Sequence, residues 1–133
     1  MNQIIEGHQK LVEALIKALK GKGYEILNAD NKDYPSLEKL GRHQPDIVAK
    51  TPEGLIIIGE AKTSNDIISE RAKEQYWDFS ARQMAEGPLK GQNVEFHIIV
   101  DYKKDLESLK KVLYELGLNI KIGKNIFLWY FKE

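Results

Sequence analysis

The chain has 133 residues, which is enough for one compact domain with a sizeable core but too few for two. Hydrophobic residues make up 42% and charged residues 30%, as in ordinary globular proteins, and the lack of cysteine excludes disulfides and cysteine-bearing zinc sites. The formal net charge is zero. Bulk positive charge therefore cannot hold nucleic acid, and such binding would need a local patch, metal ions or low affinity.

No apolar run approaches the roughly 20 residues that span a bilayer. Residues 1–6 do not show the basic segment followed by an apolar segment that is typical of a signal peptide. We therefore expect a cytoplasmic protein that makes no use of a membrane, with residues 1–133 forming a single domain.

The predicted elements begin with an amphipathic helix over about 3–20, where apolar residues recur at helical spacing and two glycines follow. A short strand over 24–27 and a polar loop over 28–42 come next. Two strand-like runs, 45–50 and 55–62, flank a short turn that contains glycine. This pattern predicts a β-hairpin.

The second half of the chain alternates helices and strands. Ser64 or Asn65 is suited to cap a second helix over about 66–85, and a buried strand follows over 94–100. A third helix precedes two apolar runs, 118–122 and 126–131, that are typical of a closing hairpin. The order αβββαβαββ predicts an α/β fold with a mixed central sheet flanked by helices.

The first hairpin places two acids opposite one another. If its loop is residues 52–54, then Thr51 faces Leu55 and Asp46 faces Glu60. Directly opposite residues share a face of the sheet, with Cβ atoms about 4.5–5.5 Å apart, so these carboxylates repel each other unless something positive lies between them.

Lys62 completes the group, because it is two residues beyond Glu60 and projects from the same face. A hard cation such as Mg²⁺ prefers oxygen ligands, which Asp46 and Glu60 supply, and Lys62 is suited to act on water or phosphate. The alternative is a surface salt bridge between Lys62 and one acid. Pro45 before Asp46 and the apolar run into Glu60 favour the metal site.

These residues resemble the signature of the PD-(D/E)xK nucleases, which have the restriction-endonuclease-like fold. Pro45-Asp46 is followed by thirteen residues and then by Glu60-Ala61-Lys62. The resemblance covers residues 3–101 and implies an αβββαβ core, to which this chain adds a C-terminal helix and β-hairpin. Gly41-Arg42-His43-Gln44 is similar to the glycine-rich loop of members related to Holliday-junction resolvases.

The resemblance also implies roles. Asp46, Glu60 and the carbonyl of Ala61 would bind Mg²⁺ or Mn²⁺, and Lys62 would be the catalytic lysine. Many members add a glutamate on the first helix, but the corresponding position here is Val12.

Three residues are candidates for an auxiliary role. His8 or Glu6 would replace the missing glutamate, the alternatives being a core histidine and a first-turn acid that complements the helix dipole. Gln75, with Phe79 four residues later, matches a glutamine–aromatic spacing found near the metal site in several branches of the family.

Four further residues, Arg42, His43, Lys50 and Arg71, are candidates for phosphate contacts, although a residue of this kind is more often simply a surface charge. The sequence thus predicts a metal-dependent nuclease acting on nucleic acid, most simply DNA, as a junction resolvase or a restriction- or repair-type endonuclease. The alternative is a non-catalytic nucleic-acid-binding or assembly module with the same fold. The aromatic C-terminal run 126–131 is either a core strand or the surface of a homodimer.

Overall fold

Three helices and five strands form the fold in this computed structural model, which describes residues 3–40 and 42–133, with side chains from residue 7 onward. The chain is therefore of the α/β class, as predicted. In order, the elements are α1 (Gln3–Gly21), β1 (Glu25–Ala29), β2 (Ile47–Lys50), β3 (Ile56–Lys62), α2 (Glu70–Ser80), β4 (Glu95–Tyr102), α3 (Asp105–Glu115) and β5 (Ile126–Lys132).

The five strands make one mixed sheet in the order β1-β2-β3-β4-β5. β1, β2 and β3 pair antiparallel, whereas β3, β4 and β5 pair parallel. Parallel neighbours need a long crossover, and α2 and α3 supply the two that this sheet requires. β3 lies at the centre, so its residues from Ile57 to Lys62 are buried.

The sheet has an apolar core on each face. On one face α1 packs Leu11, Leu15 and Leu19 against the odd-numbered residues of the β2–β3 hairpin. On the other face α2 and α3 pack against Ile58 and the even-numbered residues of β4. Through the stretches 3–40 and 42–133, none of the helices is both long and apolar enough to cross a membrane.

The turn of the first hairpin fixes its register. Thr51 N donates to Leu55 O over 2.9 Å, and Gly54 adopts a φ of +98°, which favours glycine. Ile47 then pairs with Gly59, and Asp46 N donates to Gly59 O over 3.1 Å, so Asp46 lies one position further along, level with Glu60. The predicted register is confirmed.

The second helix is shorter than predicted. Ser69, and not Ser64 or Asn65, caps it by accepting from Ala72 N over 3.1 Å, while residues 64–66 form a 3₁₀ turn. The helix ends at Ser80 because residues 82–94 form a loop that folds back on itself. The two ends of this loop are joined by a hydrogen bond in which Val94 N donates to Arg82 O over 3.0 Å. The prediction of a helix over 66–85 was therefore wrong at both ends.

The predicted C-terminal hairpin was also wrong. Leu118 N donates to Leu113 O over 2.8 Å, so the chain continues from α3 into a 3₁₀ turn over Asn119–Lys121 instead of a strand. β5 pairs parallel to β4 at the sheet edge. Its Ile126 is fully buried whereas Tyr130 is 38% exposed, so the first half of the aromatic run serves as a core strand.

Candidate active site

Glu60 and Lys62 lie at the C-terminal end of the central strand β3, on the face that α2 covers. They are 2% and 3% exposed, and Lys62 Nζ lies 3.5 Å from Glu60 Oε2. Removing a charge from water costs free energy, so a buried charge needs an opposite charge or hydrogen-bond partners close to it. The charged pair is therefore an unusual feature of the apolar core.

Two further groups hold Lys62. Its Nζ donates to Gln75 Oε1 on α2, and it lies 3.3 Å from Asp66 Oδ2 in the 3₁₀ turn after β3. Ser69 Oγ donates to Asp66 Oδ1 over 2.9 Å, so the residue that caps α2 also orients this acid. Gln75 is 3% exposed, and its side chain contacts Lys62.

The Glu60 carboxyl is electrostatically strained. Burial and, second, the charge of Asp46 raise its pKa well above the ordinary value, although Lys62 acts in the opposite direction. Its Oε1 accepts from Asp46 N over 3.0 Å. One lysine and one backbone amide thus leave the negative charge of this site only partly compensated.

Asp46 lies just before β2, where the strand parts from β3. Its Oδ2 accepts from Ala61 N over 2.9 Å, and its backbone amide reaches Glu60. The predicted group of Asp46, Glu60 and Lys62 is thus brought together at one end of the sheet. Ala61 is 2% exposed, and its amide faces Asp46.

Two residues from other elements join Asp46 on the side of α1. His8 Nε2 lies 3.3 Å from Asp46 Oδ2, and the hydrogen bond between them raises the pKa of His8 above its ordinary value despite partial burial. Asp30 follows β1, and its amide donates to Asp46 O over 2.8 Å. One potential ligand atom from each of His8, Asp30 and Asp46 lies within 4.8 Å of the others.

A cleft of about 720 Å³ opens beside this group. Asp30 and Asp46 line it together with Arg71, Lys32 and Tyr34. Both Arg71 and Lys32 are exposed, so the cleft combines carboxylates at one wall with cations that are free to contact a phosphate.

The four residues predicted to contact phosphates lie in different parts of the structure. Arg71 lines the cleft, but Lys50 pairs with Ile56 at the turn end of the hairpin, away from the site. His43 is 7% exposed and its Nε2 lies 3.2 Å from Asp78 Oδ2, so it faces α2 and not solvent. Arg42 is exposed, with Nη2 3.6 Å from Glu74 Oε1.

The predicted residues Gly41 and Glu6, the latter through its side chain, lie outside the described residues. Sequence reasoning missed Asp30 altogether. No local signal pointed to it, because the predicted first strand ended at residue 27 and a register shift in the β1–β2 pairing brings Asp30 level with Asp46. Ser69 and Asp66, which position Lys62, were missed as well.

Comparison with protein-family models, with curated proteins and with solved structures found no match to this chain.

Proposed function

We propose that this protein is a divalent-metal-dependent nuclease that hydrolyses phosphodiester bonds in DNA. The observation that carries the proposal is the buried Glu60–Lys62 pair beside Asp46 at the C-terminal end of β3. A buried acid and lysine in an apolar core, with the partly exposed acid Asp46 beside them, are costly to the fold, and a function that uses their charge explains their presence.

The residues present fit a hard divalent cation. Asp46 and Glu60 offer carboxylate oxygens, and strand geometry directs the Ala61 carbonyl to the same side of β3 as its amide, which faces Asp46. Mg²⁺ and Mn²⁺ both accept such oxygen ligands. Burial and the charge of Asp46 raise the pKa of Glu60 although Lys62 acts in the opposite direction, and a bound cation would favour the ionised form of this carboxyl.

A second donor set shares Asp46 with the first. His8, Asp30 and Asp46 contribute one nitrogen and two carboxylates, a mixture that suits Mn²⁺ better than Mg²⁺ because imidazole is the softer ligand. His8 is thus the proposed substitute for the missing first-helix glutamate. When bound, a divalent cation supplies Lewis acidity that stabilises negative charge on a phosphoryl oxygen.

Lys62 is the proposed catalytic residue. Its ammonium has three donors and no lone pair, so it cannot bind the metal but can orient a water or offset charge on the phosphate. Gln75 and Asp66 fix its position from two elements, which is the preorganisation that electrostatic catalysis requires. Arg71 and Lys32 are placed to hold the phosphate backbone in the adjoining cleft.

The observed order of α1, β1, β2, β3, α2 and β4 supports a restriction-endonuclease-like core, as the resemblance implied. On this proposal the protein cuts as a junction resolvase or as a restriction- or repair-type endonuclease, with a homodimer as its proposed assembly. β5, which follows α3, extends the sheet beyond that core.

The proposal is tested by a cleavage assay on labelled single-stranded, duplex, flapped and four-way-junction DNA, with Mg²⁺, Mn²⁺ or EDTA. We expect metal-dependent cutting of at least one substrate by the parent and none by Glu60→Gln. The matched control is Glu25→Gln, which removes an exposed acid from β1 and should leave cutting unchanged. Binding without cutting under every condition would favour the non-catalytic module instead.

A further inference from the structure

A groove on the outer side of α2 surrounds the exposed side chain of Trp77. We call it the Trp77 groove; it has a volume of about 510 Å³ and is lined by Arg42, Trp77, Asp78, Ala81, Arg82 and Gln83. Trp77 is 55% exposed. It is the one aromatic residue among the described residues that line the groove.

Trp77 does not serve the core. The other tryptophan, Trp129, packs against the α1 face of the sheet and donates its indole N–H to His97 Nδ1 over 2.9 Å. Trp77 instead lies near the C-terminal end of α2, more than half exposed, and lines the groove together with Ala81, whose side chain is small. An indole face of this kind is available for stacking.

Arginines flank the indole. Arg42 Nη2 lies 3.6 Å from Glu74 Oε1 and 4.0 Å from Asp78 Oδ2, so two carboxylates partly offset its charge. Arg82 has no ion pair within 4.0 Å among the described residues, so its guanidinium is open to an anion. The groove therefore offers a π surface beside a free cation, which suits nucleic acid better than an apolar protein surface.

The groove is preformed, and the chain segment that leads into β2 borders both the groove and the cleft beside Asp46. Backbone bonds fix Arg82, since its amide donates to Phe79 O over 3.4 Å and its carbonyl accepts from Val94 N. The segment 42–46 contributes Arg42 to the groove and Asp46 to the catalytic cleft.

From this geometry we infer that the Trp77 groove binds an unpaired nucleotide, with the base stacked on Trp77 and the phosphate held by Arg82. The inference rests on the proposed function and narrows its substrate class to DNA with a single-stranded segment. A base inside a blunt duplex is stacked on its neighbours and cannot offer its face to Trp77.

The test measures binding without catalysis, by fluorescence anisotropy in EDTA. The probes are a labelled oligothymidylate of about twelve nucleotides, within the range that single-strand sites cover, and a blunt duplex of equal length. We expect the parent to prefer the single strand, and Trp77→Ala to lose about ten-fold in affinity for it. Tyr114→Ala, which removes a 65% exposed aromatic from α3, is the matched control and should bind as the parent does.

Two further measurements sharpen the result. Oligothymidylate should quench the tryptophan fluorescence of the parent. It should not quench that of Trp77→Phe, in which Trp129 is the one remaining tryptophan. Arg82→Gln should reduce the salt dependence of binding by about one phosphate contact, whereas Lys110→Gln on α3 should not.

Equal affinities of the parent and Trp77→Ala for the single strand would overturn the inference, as would an equal loss on single strand and duplex. A Trp77→Ala protein that changes oligomeric state without changing DNA binding would assign the groove to a second copy of the chain, and so overturn it too. Because binding is measured without metal, Trp77-dependent binding together with a lack of cleavage would contradict only the proposed nuclease.

Discussion

The close packing of α1 on the first hairpin predicts that adding one methyl group at Gly59 destabilises the fold. A Cβ on Gly59 would lie 3.1 Å from Ile47 Cβ and 3.1 Å from Leu15 Cδ2. Leu15 can rotate, but Ile47 Cβ is fixed to the backbone of β2, so the two strands and the helix must separate slightly. The change Gly59→Ala therefore strains the element that carries Asp46 and Glu60.

The magnitude follows from two opposing effects. Overpacking a well-packed core costs about 1–3 kcal/mol. Replacing glycine by alanine within a strand returns about 0.5–1 kcal/mol, because the unfolded chain has less freedom to lose. The net loss then lies between about 0 and 2.5 kcal/mol, and we expect Gly59→Ala to lower the free energy of unfolding by roughly 1 kcal/mol.

The matched control is Gly7→Ala in α1. Gly7 is an exposed helical residue, and a Cβ there meets nothing within 4 Å. This change should raise the free energy of unfolding by about 0.5–1 kcal/mol. Urea unfolding followed by circular dichroism measures both variants. A Gly59→Ala protein at least as stable as the parent would refute the packing described for α1 and the hairpin.

Three further predictions concern charge. Asp46→Asn and Glu60→Gln should keep the fold and lose Mn²⁺ binding in calorimetric titration, and parent-like binding in either would contradict the metal assignment. Gln75→Leu frees Lys62 from one partner, so single-turnover cleavage should slow and its pH profile should shift while Mn²⁺ affinity holds; an unchanged profile would make Gln75 merely structural. Burial lowers the pKa of His97, whose Nδ1 accepts from the Trp129 indole, so only the unfolded chain takes up a proton as the pH falls below about 6.5. The stability contributed by His97 is full above that pH and is lost below it, so urea unfolding should show a steeper acid loss in the parent than in His97→Gln, and parallel curves would contradict this.

The hairpin that carries the candidate site was predictable because its signals are local. A loop of residues 52–54 with glycine at its end admits one register, and that register determines which residue faces Glu60. Side-chain alternation along β3 then places Lys62 on the same face. No knowledge of the rest of the fold was needed for either step.

The parts that were missed depend on distant contacts. Asp30 reaches Asp46 only because β1 pairs with β2 and shifts register between Ile26 and Asn28, which nothing in the strand's own sequence indicates. Similarly, the residues after α3 have the apolar character of a strand but bond back to the helix through Leu118. The two apolar runs 118–122 and 126–131, with a glycine between them, therefore suggested a β-hairpin. The chain instead passes through α3 and a 3₁₀ turn into β5, which pairs parallel to β4.

The measurement that tests the central claim most directly compares cleavage and Mn²⁺ binding in the parent and in Lys62→Ala. Both rates are taken on one DNA substrate in a single turnover with saturating Mn²⁺, so that a loss of rate cannot reflect a loss of bound metal. Lys62→Met, which keeps the buried stem, guards against a folding defect, and Lys111→Ala on α3 is the matched control.

We predict that both Lys62 variants lose cleavage by about 10²–10⁴-fold, while their Mn²⁺ affinity by calorimetry equals or slightly exceeds that of the parent. Lys62 repels the cation and does not bind it, which is why its removal should act on the chemical step alone. If the Lys62→Ala and Lys62→Met proteins cut DNA at the parent's rate, Lys62 is only a charge partner for Glu60 and the proposed nuclease site is wrong.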